Sequence, residues 1–113
     1  MAGAGAINST AQDMLVFAEA AMGADTPLRA AFARMTSVRR PAGGGTDQVL
    51  GWDAFRYQGH EVLAKSGVTN GFRSRLFVDP TAHRAVIVLI NGGGSEPIND
   101  LVALALAQGD AGR

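Results

Sequence analysis

The sequence predicts an α/β protein of the α+β type, an antiparallel meander sheet with N-terminal and C-terminal helices packed on it. Three observations lead to this class. Apolar residues recur with helical spacing within residues 1–36, strand-like segments separated by turn residues fill residues 48–91, and an amphipathic segment covers residues 95–108. Each element has one apolar face, so helices resting on the sheet are the natural packing. We expect residues 1–113 to form a single domain.

The first helix is predicted from its caps and its periodicity. Ser9 with Gln12, or Thr10 with Asp13, fits a capping box. Gly23 suits the end of the helix, where a left-handed residue is common. The apolar residues between these signals fall on one helical face: Met14, Phe17, Ala18 and Ala21.

A second helix is predicted to begin at Pro27 with Thr26 as its N-cap, since proline is favoured at the first helical position. Its expected buried side consists of Leu28, Ala31, Phe32 and Met35. Residues 37–47 contain a proline and a run of glycines, which indicates a loop between helices and sheet.

Four strands are predicted, over residues 49–57, 62–68, 72–78 and 85–90. Trp52 is expected in the strand core. Asn70-Gly71 predicts a tight hairpin with a type I′ turn, and Asp79-Pro80 predicts the next turn. In the third strand Phe72, Ser74, Leu76 and Val78 should share one face, with Arg73, Arg75 and Phe77 on the other. Residues 85–90 lack polar alternation, so we expect both of their faces to be covered.

Charge and composition limit the classes of molecule that the chain could bind. Ten Lys and Arg balance ten Asp and Glu, which argues against nucleic acid and anionic lipid. No apolar run is long enough for a membrane span, and no signal peptide is visible. The chain lacks cysteine, and neither His60 nor His83 has a second ligand at suitable spacing. We therefore expect no metal and no cofactor.

Lys65-Ser66-Gly67 is the candidate site that the residues themselves suggest. Along a strand, Lys65 and Gly67 point to the same face. A ligand could lie against the bare backbone of Gly67 beside a fixed positive charge, while the Val68 N–H donates to its carbonyl oxygen. The alternative is an exposed lysine and a Ser-Gly pair that lead into a hairpin.

Several stretches, taken in order, resemble class C β-lactamases and their DD-peptidase relatives. They are Gly5-Ala6-Ile7-Asn8-Ser9-Thr10-Ala11-Gln12-Asp13-Met14, Leu50-Gly51-Trp52, Lys65-Ser66-Gly67-Val68-Thr69-Asn70-Gly71-Phe72, Asp79-Pro80 and Val86-Ile87-Val88-Leu89-Ile90-Asn91. The ordered set runs from about residue 4 to about residue 106 and implies a partial β-lactamase/transpeptidase-like fold.

The resemblance also implies roles for particular residues. Lys65 and Ser66 would belong to the third active-site box, in which the lysine supports proton transfer and Ser66 replaces the usual threonine. The implied substrate-binding residues are Gly67, Val68, Thr69 and Asn91. The implied substrate is a β-lactam, a D-Ala-D-Ala peptide or an ester. An arginine that helps to hold the substrate carboxylate in class C enzymes has no counterpart after Asn91.

Two further boxes of the family are missing from the sequence. No Ser-x-x-Lys tetrad occurs, and Tyr57, the only tyrosine, does not start a Tyr-x-Asn box. We expect the nucleophile to lie in a parent protein, N-terminal to Met1, and the chain alone to be inactive and to bind β-lactam or peptide-like molecules weakly at most. Such families are commonly periplasmic or exported, but this chain does not decide its compartment.

Two other functions stay open. One is a small independent hydrolase in which Lys65 activates Ser66. The alternation of side chains along a strand argues against it, because neighbouring residues point to opposite faces of the sheet. The other is a binding or assembly module without chemistry. The missing N-terminal strands of the parent would leave an open sheet edge, so we expect a homodimer, or a complex with the missing portion.

Overall fold

A computed structural model describes residues 5–57 and 59–92, and in this part of the chain two helices precede six strands. The helices are α1 (Ala11–Ala21) and α2 (Arg29–Ser37), and the strands are β1 (Arg40–Gly43), β2 (Thr46–Gln48), β3 (Asp53–Tyr57), β4 (His60–Thr69), β5 (Phe72–Asp79) and β6 (Arg84–Asn91). Each strand pairs antiparallel with its neighbours in sequence. The predicted α+β class with an antiparallel meander is confirmed. The predicted helix over residues 95–108 lies outside the described residues.

Both ends of α1 follow the sequence signals. The Thr10 side chain accepts a hydrogen bond of 3.1 Å from the Asp13 N–H. After the helix, Gly23 has a φ of +98°, and the Ala24 N–H donates to the Glu19 carbonyl at 3.2 Å. This closing bond is that of a Schellman motif, which satisfies a carbonyl that the helix itself leaves unpaired.

The start and the buried side of α2 differ from the prediction. The helix begins at Arg29 rather than at Pro27, because the Thr26 side chain accepts from the Leu28 N–H at 3.2 Å and holds this segment in a turn. No residue of α2 is fully buried, and Leu28 is 59% exposed. The helix contacts the rest of the molecule through Phe32, whose ring packs edge-on against Phe17, and through Met35, which packs on a buried cluster of the core.

Residues 40–48 form a hairpin, so the expectation of a loop over residues 37–47 is wrong. Strands β1 and β2 pair through Arg40↔Gln48 and Gly43↔Thr46. The two residues between them, Gly44 and Gly45, have φ values of +59° and +79°. Positive φ at both central residues is the requirement of a type I′ turn, which glycine meets without strain.

The hairpin between β4 and β5 is confirmed, but its turn type is not. Thr69 pairs with Phe72, so the loop contains the two predicted residues. Gly71 has a φ of +79°, but Asn70 does not have a positive φ. Among the non-glycine residues that the structure describes, only His83 does. Positive φ at the second central residue alone is typical of a type II turn.

The segment before β3 is a turn that carries the largest core residue. The predicted strand over residues 49–57 is interrupted, because Val49 to Trp52 lie between β2 and β3 and Gly51 has a φ of +80°. The Gln48 side chain donates to the carbonyls of Val49 and Trp52 at 3.0 and 2.9 Å. Trp52 is 3% exposed, so it is a core residue as predicted, although not in a strand.

The two faces of the sheet bury different clusters. The face that packs against α1, here called the helix face, contributes to a buried cluster of Ala18, Val49, Trp52, Ala54, Leu63, Leu76 and Val78. The opposite face, here called the back face, contributes Val62, Ala64 and Phe77. Leu76 and Val78 thus lie on the helix face and Phe77 on the back face, which confirms the predicted alternation in β5.

Strand β6 is less covered than its sequence indicates. Ile87 packs on the cluster of the helix face, and Val86 and Val88 pack on that of the back face. All three are only partly buried, and Leu89 is 46% exposed. Both faces of the strand are thus covered in part, as far as the described residues show. In residues 5–57 and 59–92, no helix has the length and apolar character needed to cross a membrane.

Candidate functional site

The predicted site lies where β4 extends beyond its neighbour β3. The last pair between these strands is Asp53↔Ala64, so the segment 65–69 pairs only with β5 among the described strands. One side of this segment is thus a local sheet edge. Lys65 is exposed at the start of this segment.

Register assigns the residues of this segment to opposite faces. Lys65 pairs with Leu76, and Gly67 pairs with Ser74, all on the helix face. Ser66 lies between them and pairs with Arg75, on the back face. The Ser66 hydroxyl and the Lys65 ammonium therefore leave the strand in opposite directions, which disfavours activation of Ser66 by Lys65.

One large cavity brings together all six residues that the sequence nominated. It has a volume of about 750 Å³, and Lys65, Ser66, Gly67, Val68, Thr69 and Asn91 border it. Asn91 reaches the cavity because it pairs with Phe72, which in turn pairs with Thr69. The rest of the border includes residues 5 and 7–9 and the facing residues of β5 and β6.

A smaller cavity of about 360 Å³ adjoins the large one on the helix face, since the two share Ile7, Ser9, Lys65, Ser66, Ser74 and Leu89. Apolar side chains form most of its wall: Ile7, Met14, Phe17, Met35, Trp52, Leu76, Ile87 and Leu89. Among the described residues that border it, Lys65 is the only charged one. Apolar walls around a few polar groups are typical of small-molecule sites.

Ser74 is a site residue that the sequence interpretation missed. A Cβ atom built on Gly67 would lie 2.5 Å from the Ser74 Oγ. The space above Gly67 is therefore occupied by a hydroxyl rather than free for a ligand, which corrects our expectation of bare backbone. The signal was present, because the predicted alternation already placed Ser74 on the same face as Leu76.

The segment before α1 also borders the site. Gly5 approaches the open segment of β4 so closely that a Cβ there would lie 2.9 Å from the Thr69 Cγ2. Ile7 and Ser9 border both cavities, and Ile7 is 89% exposed. The sequence had indicated only a capping role for Ser9, because nothing local shows that this segment meets β4.

A buried carboxylate lies at the other end of β5. Asp79 is 1% exposed; its Oδ2 is 3.0 Å from the His60 Nδ1 and 3.8 Å from the Arg84 Nη2, and its Oδ1 accepts from the Ala82 N–H at 3.0 Å. Burial alone raises the pKa of Asp79, but the Ala82 N–H, His60 and Arg84 together hold that pKa below its usual value of 3.8. No carboxylate partner of His60 was evident from the spacing of residues along the sequence, and the fold supplies one.

Two further charged groups lie away from the cavities. Arg39 forms a bidentate ion pair with Glu61 and a longer contact of 3.4 Å with Asp47. This hydrogen bonding to Arg39 lowers the pKa of Glu61. His83 lies 3.1 Å from Glu19 of α1. Within the ranges that the structure describes, no group of three or more His, Asp or Glu side chains is arranged to hold a metal ion.

Comparison with known proteins gives one match. The sequence profile of the family described as Beta-lactamase matches residues 1–111. No curated protein matches the chain.

Proposed function

Because the chain belongs to the β-lactamase family, we propose that it carries the third active-site box of a serine hydrolase, Lys65-Ser66-Gly67, without the nucleophile. The relatives that we propose as nearest are the class C β-lactamases and the DD-peptidases. The proposed substrate class is a β-lactam, a D-Ala-D-Ala peptide or an ester. The observation that carries the proposal is the single cavity bordered by all six nominated residues.

The open segment of β4 supports this proposal. With no described strand beside residues 65–69 on one side, an extended ligand can approach the backbone there. We propose that the Val68 N–H donates a hydrogen bond to the oxyanion and that Lys65 supplies a fixed positive charge. Thr69 and Asn91 would form the rim of the substrate-binding cavity. Preorganised donors of this kind stabilise the charge that develops on a carbonyl oxygen.

The proposal of inactivity follows from the missing motifs. Lys65 is the only lysine of the sequence, and Val62, three residues before it, is not serine, so no Ser-x-x-Lys box exists in this chain. An acyl-enzyme needs a nucleophile with an adjacent base. The position of Ser66 on the face opposite Lys65 disfavours the stand-alone hydrolase.

Nitrocefin hydrolysis and covalent labelling test this proposal together. We expect no turnover by the purified chain above that of a Lys65→Ala variant, and no covalent adduct with a fluorescent penicillin. Labelling of a serine that disappears when that serine is replaced would refute the proposal. If Ser66→Ala alone removed labelling, the stand-alone hydrolase would be established instead.

We also propose that the chain self-associates as a dimer. The open segment 65–69 and the outer side of β6 have no strand partner among the described residues. Exposed apolar side chains such as Val16, Val68 and Phe72 add to the surface that association could bury. Strand β1 is a poorer candidate, because Pro41 and a register shift interrupt it. Light scattering at micromolar concentration should give a dimer mass, and a monomer mass that is unchanged on concentration would exclude it.

A further inference from the structure

Strand β6 combines the composition of an interior strand with the burial of an edge strand. Residues 85–90 are apolar without interruption, a pattern typical of a strand that is covered on both faces. None of the eight residues of β6 is buried, whereas β4 and β5 contain the buried runs 62–64 and 76–79. The strand with the longest apolar run in the described sheet is therefore less covered than the two strands before it.

The outer side of β6 lacks the features that protect sheet edges. No strand pairs with it among residues 5–57 and 59–92. Its pairing with β5 runs over eight consecutive positions without a bulge, it contains no proline, and its single charged residue, Arg84, is its first. Strand β1, at the other end of the sheet, has both Pro41 and a register shift. A sheet edge without such interruptions is a template for a further strand.

The sequence of β6 is complementary to itself. When two copies of a strand pair antiparallel about a two-fold axis, the residue on the axis meets its own copy, and residues equally far from it on either side meet each other. With Ile87 on the axis, Val86 faces Val88 and Ala85 faces Leu89. Apolar side chains then meet on both faces of the sheet, and such cross-strand pairs stabilise sheets. The charged first residues of the two copies lie at opposite ends of the pair, so they do not repel each other.

We propose that two copies of this chain pair through β6, antiparallel about a two-fold axis at Ile87 or Val88, and so form one continuous sheet. The inference deepens the proposed self-association, rests on it, and names its interface. Segment 65–69 is open on the side of β4 that faces away from β5 and β6. It therefore stays accessible to a ligand in both copies, whereas a dimer through that segment would cover the Val68 N–H.

Disulfide trapping tests this interface, because the chain contains no cysteine and a single introduced one can cross-link only to another copy. Directly opposed residues have Cβ atoms about 4.5–5.5 Å apart, close to the separation in a disulfide. Under mild oxidation, Ile87→Cys or Val88→Cys should form a covalent dimer at least about tenfold faster than Leu28→Cys. Leu28 is the control position, since it is 59% exposed and lies before α2, outside the sheet.

A charge on the edge gives a second, independent measurement. Leu89 is 46% exposed, and a dimer of Leu89→Lys would carry two lysines in the interface. Light scattering over a dilution series should show the dimer dissociation constant raised by at least about tenfold, and the matched variant Leu28→Lys should change it by less than about twofold.

Three results would each overturn the proposed interface. They are cross-linking of Ile87→Cys and Val88→Cys that is no faster than that of Leu28→Cys, a Leu89→Lys dimer as tight as the wild type, and a wild-type chain that stays monomeric on concentration. If Leu89→Lys does not fold, the cysteine variants decide. Only the monomeric result also removes the proposed dimer. The proposed active-site box fails on nitrocefin turnover or penicillin labelling, so the failures are distinguishable.

Discussion

Replacing Gly67 by alanine tests the contact between β4 and β5 directly. The new Cβ would lie 2.5 Å from the Ser74 Oγ, a distance at which one of the two must move. A shift of the serine out of its rotamer, or of the strands, costs about 1–2 kcal/mol. Gly67 does not have a positive φ, so alanine fits the backbone itself and recovers about 0.5–1 kcal/mol of conformational entropy. We expect a net loss of about 1 kcal/mol in Gly67→Ala.

The double variant Gly67→Ala/Ser74→Ala separates these two effects. Without the hydroxyl, the nearest Ser74 atom that the new Cβ meets is the β-carbon at 3.9 Å, an ordinary contact. In the Ser74→Ala background, Gly67→Ala should therefore stabilise the chain by about 0.5 kcal/mol, which gives a coupling energy of about 1.5 kcal/mol. Urea unfolding of the four proteins measures it. A Gly67→Ala effect that is the same in both backgrounds would refute the described approach of Ser74 to Gly67.

Three further predictions concern stability outside the site. Because the pKa of Asp79 is lowered, its carboxylate stabilises the fold at pH values above the unfolded-state pKa, and this stabilisation is lost as the pH falls through the folded-state pKa, which lies below 3.8. Asp79→Asn should therefore cost about 3 kcal/mol of unfolding free energy at pH 7 and should flatten the decline of stability between pH 5 and 3. Urea titrations at several pH values measure this, and parallel curves for the two proteins would contradict it. Gly23→Ala should cost about 1 kcal/mol and lower the thermal midpoint of unfolding, because alanine is strained at the φ of +98° that Gly23 adopts. An unchanged midpoint would exclude the Schellman end of α1. Arg39→Ala should cost about 1 kcal/mol of unfolding free energy or less, because the side chains of its ion pair with Glu61 are about one-third exposed. High salt should reduce that cost in urea unfolding, and a cost that does not depend on salt would indicate lost packing instead.

The sequence carried enough local information to predict the β4–β5 hairpin. Asn70-Gly71 and the alternation on either side define the loop and both faces, so the positions of Lys65 and Leu76 could be inferred without the structure. The hairpin of β1 and β2 was missed although Gly44 and Gly45 fit a type I′ turn, because its flanking residues lack the apolar alternation that predicts strands.

The contacts that were missed depend on register, which a single local motif specifies only indirectly. A two-residue loop between Thr69 and Phe72 pairs Gly67 with Ser74 and continues to Leu63↔Val78, which brings His60 and Asp79 to neighbouring positions. Counting outward from the turn would have found both contacts. Nothing comparable predicts that Gly5 approaches Thr69, because that approach depends on how the segment before α1 and the helix itself pack on the sheet.

The uninterrupted meander has a consequence for how this chain folds. Every strand pair in the described sheet joins sequence neighbours, so no pairing has to wait for a distant segment to arrive. Folding rates rise as the mean sequence separation of contacts falls, since short loops cost little entropy to close. The β4–β5 hairpin is a natural nucleus, with a two-residue loop and seven consecutive paired positions. Lys65, Gly67 and Ser74 would then be assembled early, before α1 docks.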